Sequence, residues 1–186
     1  MSDQVTFDFD PRSLEGFQRV VQDLAPPAIR RAGARAINRG LTSGKTVMVR
    51  EVAAALGVKQ AAVKRFIGSR NATADRLEGR VYAFGKRGIP LIDLDAKGPE
   101  PSRGQGAGVR VRATPGQFPN AFIAISKTGK RAVFERVGRA RLPIQQLFTR
   151  RIPDVWREAR GAGVTRAAES LRTNLVSEIR YLLKKL

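Results

Sequence analysis

Three stretches of this 186-residue sequence carry side chains whose types and spacing could do chemistry. Residues 40–46 end in Gly44-Lys45-Thr46, the ending of a phosphate-binding P-loop. Such a loop follows a strand and needs four residues between its glycines, so that its N–H groups can wrap a phosphate. Here three residues separate Gly40 from Gly44 and the preceding pattern is helical, so the stretch reads as a kink or break between helical segments. Gly104, Gly106 and Gly108 alternate, but a dinucleotide fingerprint needs a strand before it and a helix after it. A strand pattern follows instead, which makes these glycines part of a mobile loop. Asp93 and Asp95 stand two apart on an extended run and would share a face, as a carboxylate pair or metal site requires. Without a further His, Glu or Asp beside them, they read as two carboxylates at a loop edge.

The remaining chemistry is cationic. Thirty-five Lys and Arg stand against 16 Asp and Glu, a formal net charge of +19. Such a balance repels itself in a compact fold and suits a polyanion or an acidic protein surface as partner. Residues 127–151 hold Lys127, Lys130, Arg131, Arg136, Arg139, Arg141, Arg150 and Arg151 against the single acid Glu135. Upstream, Arg110 and Arg112 alternate with Val109, Val111 and Ala113, the pattern of a strand with a basic outer face. Arg110, Arg112, Lys130, Arg131, Arg136, Arg139 and Arg141 are therefore the expected contacts to DNA phosphates or to an acidic surface. Only Phe134 and Phe148 are interleaved in residues 127–151, which favours backbone contact over base stacking. Residues 49–67 also have the look of a helix-turn-helix, with a turn at Gly57 and with Gln60, Lys64 and Arg65 toward a groove. The same spacing packs any two short helices at an angle.

Cysteine and histidine are absent. That removes disulfides, thiolate nucleophiles, the common zinc sites and the usual general base near neutral pH. No base, nucleophile and metal set converges, so no catalytic residue, cofactor or metal is expected. Trp156 reads as a packing anchor. No apolar run approaches the roughly 20 residues that span a membrane, and the polar start Met1-Ser2-Asp3-Gln4 does not read as a signal peptide.

These side chains need elements to hold them. Val5, Phe7 and Phe9 alternate as a short strand, and Ser13 can cap a helix bearing Phe17, Val20, Val21 and Leu24. Residues 28–56 are mainly helical, with a small-residue face at Ala32 and Ala36, and a shorter helix covers 59–67. Strands are expected at 77–84, 109–113, 121–126 and 132–137, with an extended run at 89–94. The loop 97–108 is rich in Gly and Pro, and residues 127–130 form a hairpin turn. A last helix repeats Leu171, Leu175, Ile179 and Leu182 at steps of three or four. Helices, then strands, then a helix predict an α+β fold: a small, mostly antiparallel sheet flanked by a long N-terminal helical region and a C-terminal helix. The expected division is a helical region 1–70, a β-rich part 71–152 and the helix 153–186, within one domain. The face at Ala32 and Ala36, or the stripe Leu171, Leu175, Ile179 and Leu182, is expected to meet another copy of the chain.

The order of short segments resembles the minor tail protein Z family of tailed phages and prophages. The pieces are Arg35-Ala36-Ile37-Asn38-Arg39, Gly57-Val58-Lys59-Gln60, Ala72-Thr73, Gly88-Ile89-Pro90-Leu91 and Gly108-Val109-Arg110-Val111. They continue with Ala121-Phe122-Ile123-Ala124, Val133-Phe134-Glu135-Arg136-Val137-Gly138, Arg141-Leu142-Pro143-Ile144, Asn174-Leu175 and Glu178-Ile179. Where that family often carries histidine, this chain has Lys130 and Ser177. The resemblance implies a virion protein that completes the tail at its head-proximal end after assembly in the bacterial cytoplasm. It also implies a homo-oligomeric ring, a hexamer by preference. The neighbours would be the tail terminator or tail tube protein and the head-to-tail connector, with the DNA backbone as a possible contact.

Overall fold

Pro27 opens the first long helix, where its missing N–H costs nothing because first-turn donors have no helical partner. In the computed structural model, which describes residues 5–8, 27–100, 108–126, 128–138 and 142–184, this helix is α1 (Pro27–Leu56). It stops at Gly57, whose φ of 64° only glycine adopts without strain. The Gly57 N–H donates to Ala54 O (3.1 Å) and the Val58 N–H to Ala53 O (3.0 Å), the double bond of a Schellman cap. A short α2 (Gln60–Lys64) follows, then β2 (Ile67–Arg70) and β3 (Arg80–Ala83). The strand β1 (Val5–Asp8) pairs antiparallel with β3 on the side away from β2, giving the order β1-β3-β2.

The middle of the chain builds two more antiparallel sheets. One joins β4 (Val109–Arg110) to β5 (Gln117–Phe118). The other has the order β6-β7-β8, from β6 (Ala121–Ile125), β7 (Arg131–Arg136) and β8 (Ile144–Gln146). Residues 97–99 stitch these sheets together. Lys97 exchanges backbone hydrogen bonds of 2.8 Å with Arg110, and Pro99 O accepts the Ile123 N–H at 2.9 Å. Below β8, Thr149 N–H donates to Ile89 O (2.9 Å) and Leu91 N–H to Leu147 O (3.3 Å). These bonds seat a 3-10 turn (Leu91–Asp93) beside the sheet. The chain ends in α3 (Ile152–Leu183), with Asp154 in its first turn, where a carboxylate complements the helix dipole.

One apolar core gathers the C-terminal half of α1, the first turns of α3 and the inward residues of β2, β3, β6 and β7. Trp156 is fully buried at its centre with Met48, Leu56, Ile89, Ile123 and Ile152. A smaller cluster of Ala34, Ala72 and Leu77 lies on another side of α1.

The α+β class expected from element order holds, and several local expectations need correcting. The break expected at residues 40–46 is absent: α1 runs through it without interruption. The expected strand 77–84 is confined to Arg80–Ala83, and Leu77 packs with Ala34 and Ala72 instead. The run 89–94 becomes a bridge at Pro90 followed by the 3-10 turn, which leaves Asp93 and Asp95 outside any strand. Asp93 pairs with Arg65 at 3.1 Å. The strand expected at 109–113 keeps its alternation of covered and exposed side chains, yet only two residues pair as β4. The strands β2, β5 and β8 were not anticipated. The helix expected after Ser13 and most of the loop 97–108 lie outside the described residues.

Candidate functional site

The two long helices cross through small residues. As α1 advances from Arg35 to Met48, its partners on α3 fall from Glu178 to Gly163, so the helices run antiparallel. A Cβ on Gly44 would stand 2.8 Å from Ala167 Cβ and 2.8 Å from Gly163 O. A Cβ on Gly40 would stand 3.0 Å from Ala167 O. This close approach, rather than a bend, accounts for Gly40 and Gly44. Ser43 and Ser170 share a hydrogen bond of 3.0 Å alongside.

Above the crossing sits a charge cluster. Glu178 is 7% exposed, while Arg35 and Arg39 reach it from α1. Arg35 donates through Nη2 at 2.6 Å and Nε at 3.1 Å, and Arg39 Nη1 lies 3.0 Å from the other carboxylate oxygen. Arg39 also donates to Asn174 Oδ1 at 3.3 Å. The hydrogen bond from Arg35 holds the Glu178 carboxyl below the ordinary carboxylate range, against the opposing push of burial. The same bond raises the Arg35 guanidinium above its ordinary value.

Asn38, between the two arginines in sequence, clasps the chain on another side. Its Nδ2 donates to Ala72 O (3.0 Å) and its Oδ1 accepts from the Ala72 N–H (2.8 Å). Ala72 is buried, so Asn38→Ala strands a donor and an acceptor. A loss of about 1–3 kcal/mol in urea unfolding is expected.

The expected contact cations occupy several places. Arg110, Arg112, Lys130, Arg131 and Arg136 are all exposed, whereas Arg139 and Arg141 lie outside the described residues. Arg131 is held by Glu100 at 2.9 Å, and Arg136 lies over the Phe122 ring at 5.5 Å. Five positions apart on β7, Arg131 and Arg136 point to opposite faces of the sheet. They therefore do not form one patch. The sequence did not single out Lys97, which the bridge places directly opposite Arg110. Both are exposed, and neither makes an ion pair among the described residues. Like charges facing each other across a strand pair are destabilising unless an anion comes between them. Only the pairing across the Gly- and Pro-rich loop revealed this, since the two residues are far apart in sequence.

Of the apolar residues expected between copies, Ala32, Ala36 and Leu171 are buried within the chain itself. Leu175 and Leu182 are half-buried, and Ile179 is exposed beside Val176 and Tyr181 near the end of α3. The unit that looked like a helix-turn-helix has a second helix of five residues that runs on into β2. At about 1.5 Å per residue this helix is under 8 Å long, a packing hairpin rather than a groove reader.

Among the described residues no three His, Cys, Asp or Glu side chains gather as a metal site, and no helix is long and apolar enough to cross a membrane. Fold and composition define a small, basic α+β protein. The chain belongs to the prophage minor tail protein Z family, whose model matches residues 14–186, nearly the whole chain. It is thus a structural protein of phage tails and, by family, a component of the virion. No curated protein and no solved structure matches it. Some of the segments that carried the resemblance meet in space: Arg35 and Arg39 with Asn174 and Glu178, and Asn38 with Ala72.

Proposed function

We propose that this protein completes the tail at its head-proximal end, joins the tail tube to the neck and helps to hold or pass the DNA. It acts there as a ring of several copies, six by preference, between the tail tube or tail terminator protein and the connector, after assembly in the host cytoplasm. The observation that carries the reading is the Lys97–Arg110 pair, two cations set opposite each other with no acid of the described chain between them. An anionic partner, the DNA backbone or an acidic ring, removes their mutual repulsion. Arg112, Lys130 and Arg136 are further exposed cations at separate places on the surface, and the exposed end of α3 at Ile179 is available to a second copy.

Two measurements test this. Images of the necks of intact particles should show the protein at the upper end of the tail, and its absence from particles ends the proposal. Binding of the purified chain to short DNA duplexes should be indifferent to sequence and fall steeply with salt. Each phosphate contact contributes a slope of about 0.9 in log–log form, so the Lys97→Ala, Arg110→Ala double variant should lower the slope by about two. Tail association that ignores salt, with these replacements silent, rules out a charge-driven contact.

A further inference from the structure

The sheet β1-β3-β2 turns one face to the core, where Val81 and Ala83 of its central strand are buried. Alternation sends Arg80, Tyr82 and Phe84 to the opposite face. The register adds Gly68 opposite Tyr82 and Arg70 opposite Arg80. The Phe84 N–H donates to Phe66 O (3.0 Å), which carries the ladder one residue beyond β3. Three aromatic rings thus meet on the outer face. Phe84 stands between the others, its centroid 6.2 Å from Tyr82 and 6.5 Å from Phe66, with tilts of 43° and 53°. At these tilts no ring lies flat on its neighbour. Phe84 is 39% exposed, and Tyr82 and Phe66 are half-buried.

Gly68 lays one of these rings down. A Cβ there would stand 2.4 Å from Tyr82 Cζ, 2.5 Å from Cε2 and 2.6 Å from Oη. These near-equal distances, shortest to the middle atom, mean that Gly68 meets the flat of the ring and not its rim. The opposite flat is turned away from β2. Rings set in this way on a sheet face are a surface on which unpaired bases stack.

The charge beside the rings selects the occupant. Residues 64–87, which supply β2, β3 and their flanks, hold seven Lys or Arg against two acids, Asp75 and Glu78. Glu78 is taken by Arg80 (2.7 Å), which Asp8 of β1 also opposes in the register. Arg65 is held by Asp93 at 3.1 Å, with its guanidinium 5.1 Å from the Phe66 centroid. Arg70 and Lys86 are exposed and make no ion pair among the described residues. Arg70 lies at the level of Arg80, on one side of the rings, and Lys86 follows Phe84 by two residues on the other. A second copy docked here would set these cations against their own duplicates. A duplex keeps its bases stacked on one another, out of reach of the rings. We infer that this face binds a single strand of DNA, its bases stacking on Tyr82 and Phe84 and its phosphates meeting Arg70 and Lys86. That the strand is DNA rests on the reading of the protein as a handler of DNA; the stacking does not.

The test uses the full-length chain and a dye-labelled oligothymidine, followed by fluorescence anisotropy. The strand should bind. A strand of equal length with abasic sites in place of its thymidines keeps every phosphate and should bind at least about tenfold more weakly. Phe84→Leu keeps an apolar side chain without the ring and should weaken oligothymidine binding by a similar factor. Arg70→Ala should lower the log–log salt slope by about 0.7, the value of one contact to a single strand. Phe84→Trp should keep binding and report it, because a stacked thymine quenches the added indole while the buried Trp156 supplies a constant background. The inference is overturned if oligothymidine does not bind, if the abasic strand binds as well, or if binding leaves the Phe84→Trp emission unchanged. It is equally overturned if Phe84→Leu, with its melting unchanged, binds normally. Should Phe84→Leu unfold the chain, the abasic strand decides on the unaltered protein. A uridine RNA strand that binds about tenfold more tightly than oligothymidine overturns DNA as the occupant. Duplex binding should not change in Phe84→Leu, so a failure here leaves the contact at Lys97 and Arg110 standing, and a failure there leaves this one.

Discussion

Gly44→Leu is expected to lower the stability of the chain by about 3 kcal/mol, because there is no room for a side chain where α1 meets α3. For a chain of this length that corresponds to a fall of about 6–12 °C in melting midpoint. Two effects oppose each other. Leucine is a better helix former than glycine by somewhat under about 1 kcal/mol, which favours the variant. Against it, even the first carbon of the new side chain would lie 2.8 Å from both Ala167 Cβ and Gly163 O, and one of these is main chain on a neighbouring helix. Backbone at that distance yields only if the helices separate. Separation would uncover Met48, which packs over Gly163, and strain the bond between Ser43 and Ser170. The steric effect therefore wins. Gly161→Ala on α3 isolates the propensity effect, since a Cβ there meets nothing within 4 Å. That variant should gain up to about 1 kcal/mol and melt about 2–4 °C higher. If both glycines behaved alike in thermal unfolding, the close crossing would not be the reason for Gly44.

The crossing also marks where the sequence could and could not be read. Periodicity placed both long helices and the hairpin strands β6 and β7, because each is long enough for one face to declare itself. The pattern was misleading at residues 40–46, where Gly40 and Gly44 have the same types whether a helix bends or a second helix presses against it. Only the arrival of Gly163 and Ala167 from over a hundred residues away decides between the two. The strands β5 and β8 have two or three residues, too few for an alternation to register. Most of the cations expected at the surface are exposed, which composition alone dictates. The opposition of Lys97 and Arg110 is not legible, because it depends on a pairing register across a loop. The burial of Ala32, Ala36 and Leu171 within the chain was not legible for a related reason: such a stripe fits a neighbouring copy and a helix of the same chain equally well. The spacing of four between Arg35 and Arg39, matched by four between Asn174 and Glu178, was the one sequence signal that could have joined the two helices.

That matched spacing leads to the largest electrostatic effect expected in the chain. Removing both arginines, Arg35→Ala with Arg39→Ala, should cost about 3 kcal/mol at neutral pH, toward the lower end of what stranding a buried charge costs. The asymmetry of the cluster sets this value. Glu178 is nearly fully covered, while the Arg35 and Arg39 side chains remain 47% and 55% exposed. Glu178→Gln leaves arginines that can turn into water and should therefore cost only about 1 kcal/mol. The pH dependence separates the variants. In the unaltered chain the hydrogen bond from Arg35 depresses the Glu178 carboxyl below its unfolded value. Its contribution is therefore complete above the unfolded value of about 4.3 and is lost as pH falls through the lower folded value. Without the arginines only burial acts, and burial pushes the same carboxyl up. The sign then reverses: the double variant is weakened at neutral pH and recovers part of the loss on acidification, as protonation discharges the covered group. Glu178→Gln has nothing to titrate at this position and should lose the acid-dependent step altogether. Urea unfolding of the three chains between pH 7 and pH 3 checks the order and both signs. A double variant that weakens in parallel with the unaltered chain as pH falls would show that Glu178 reaches water once the arginines are gone.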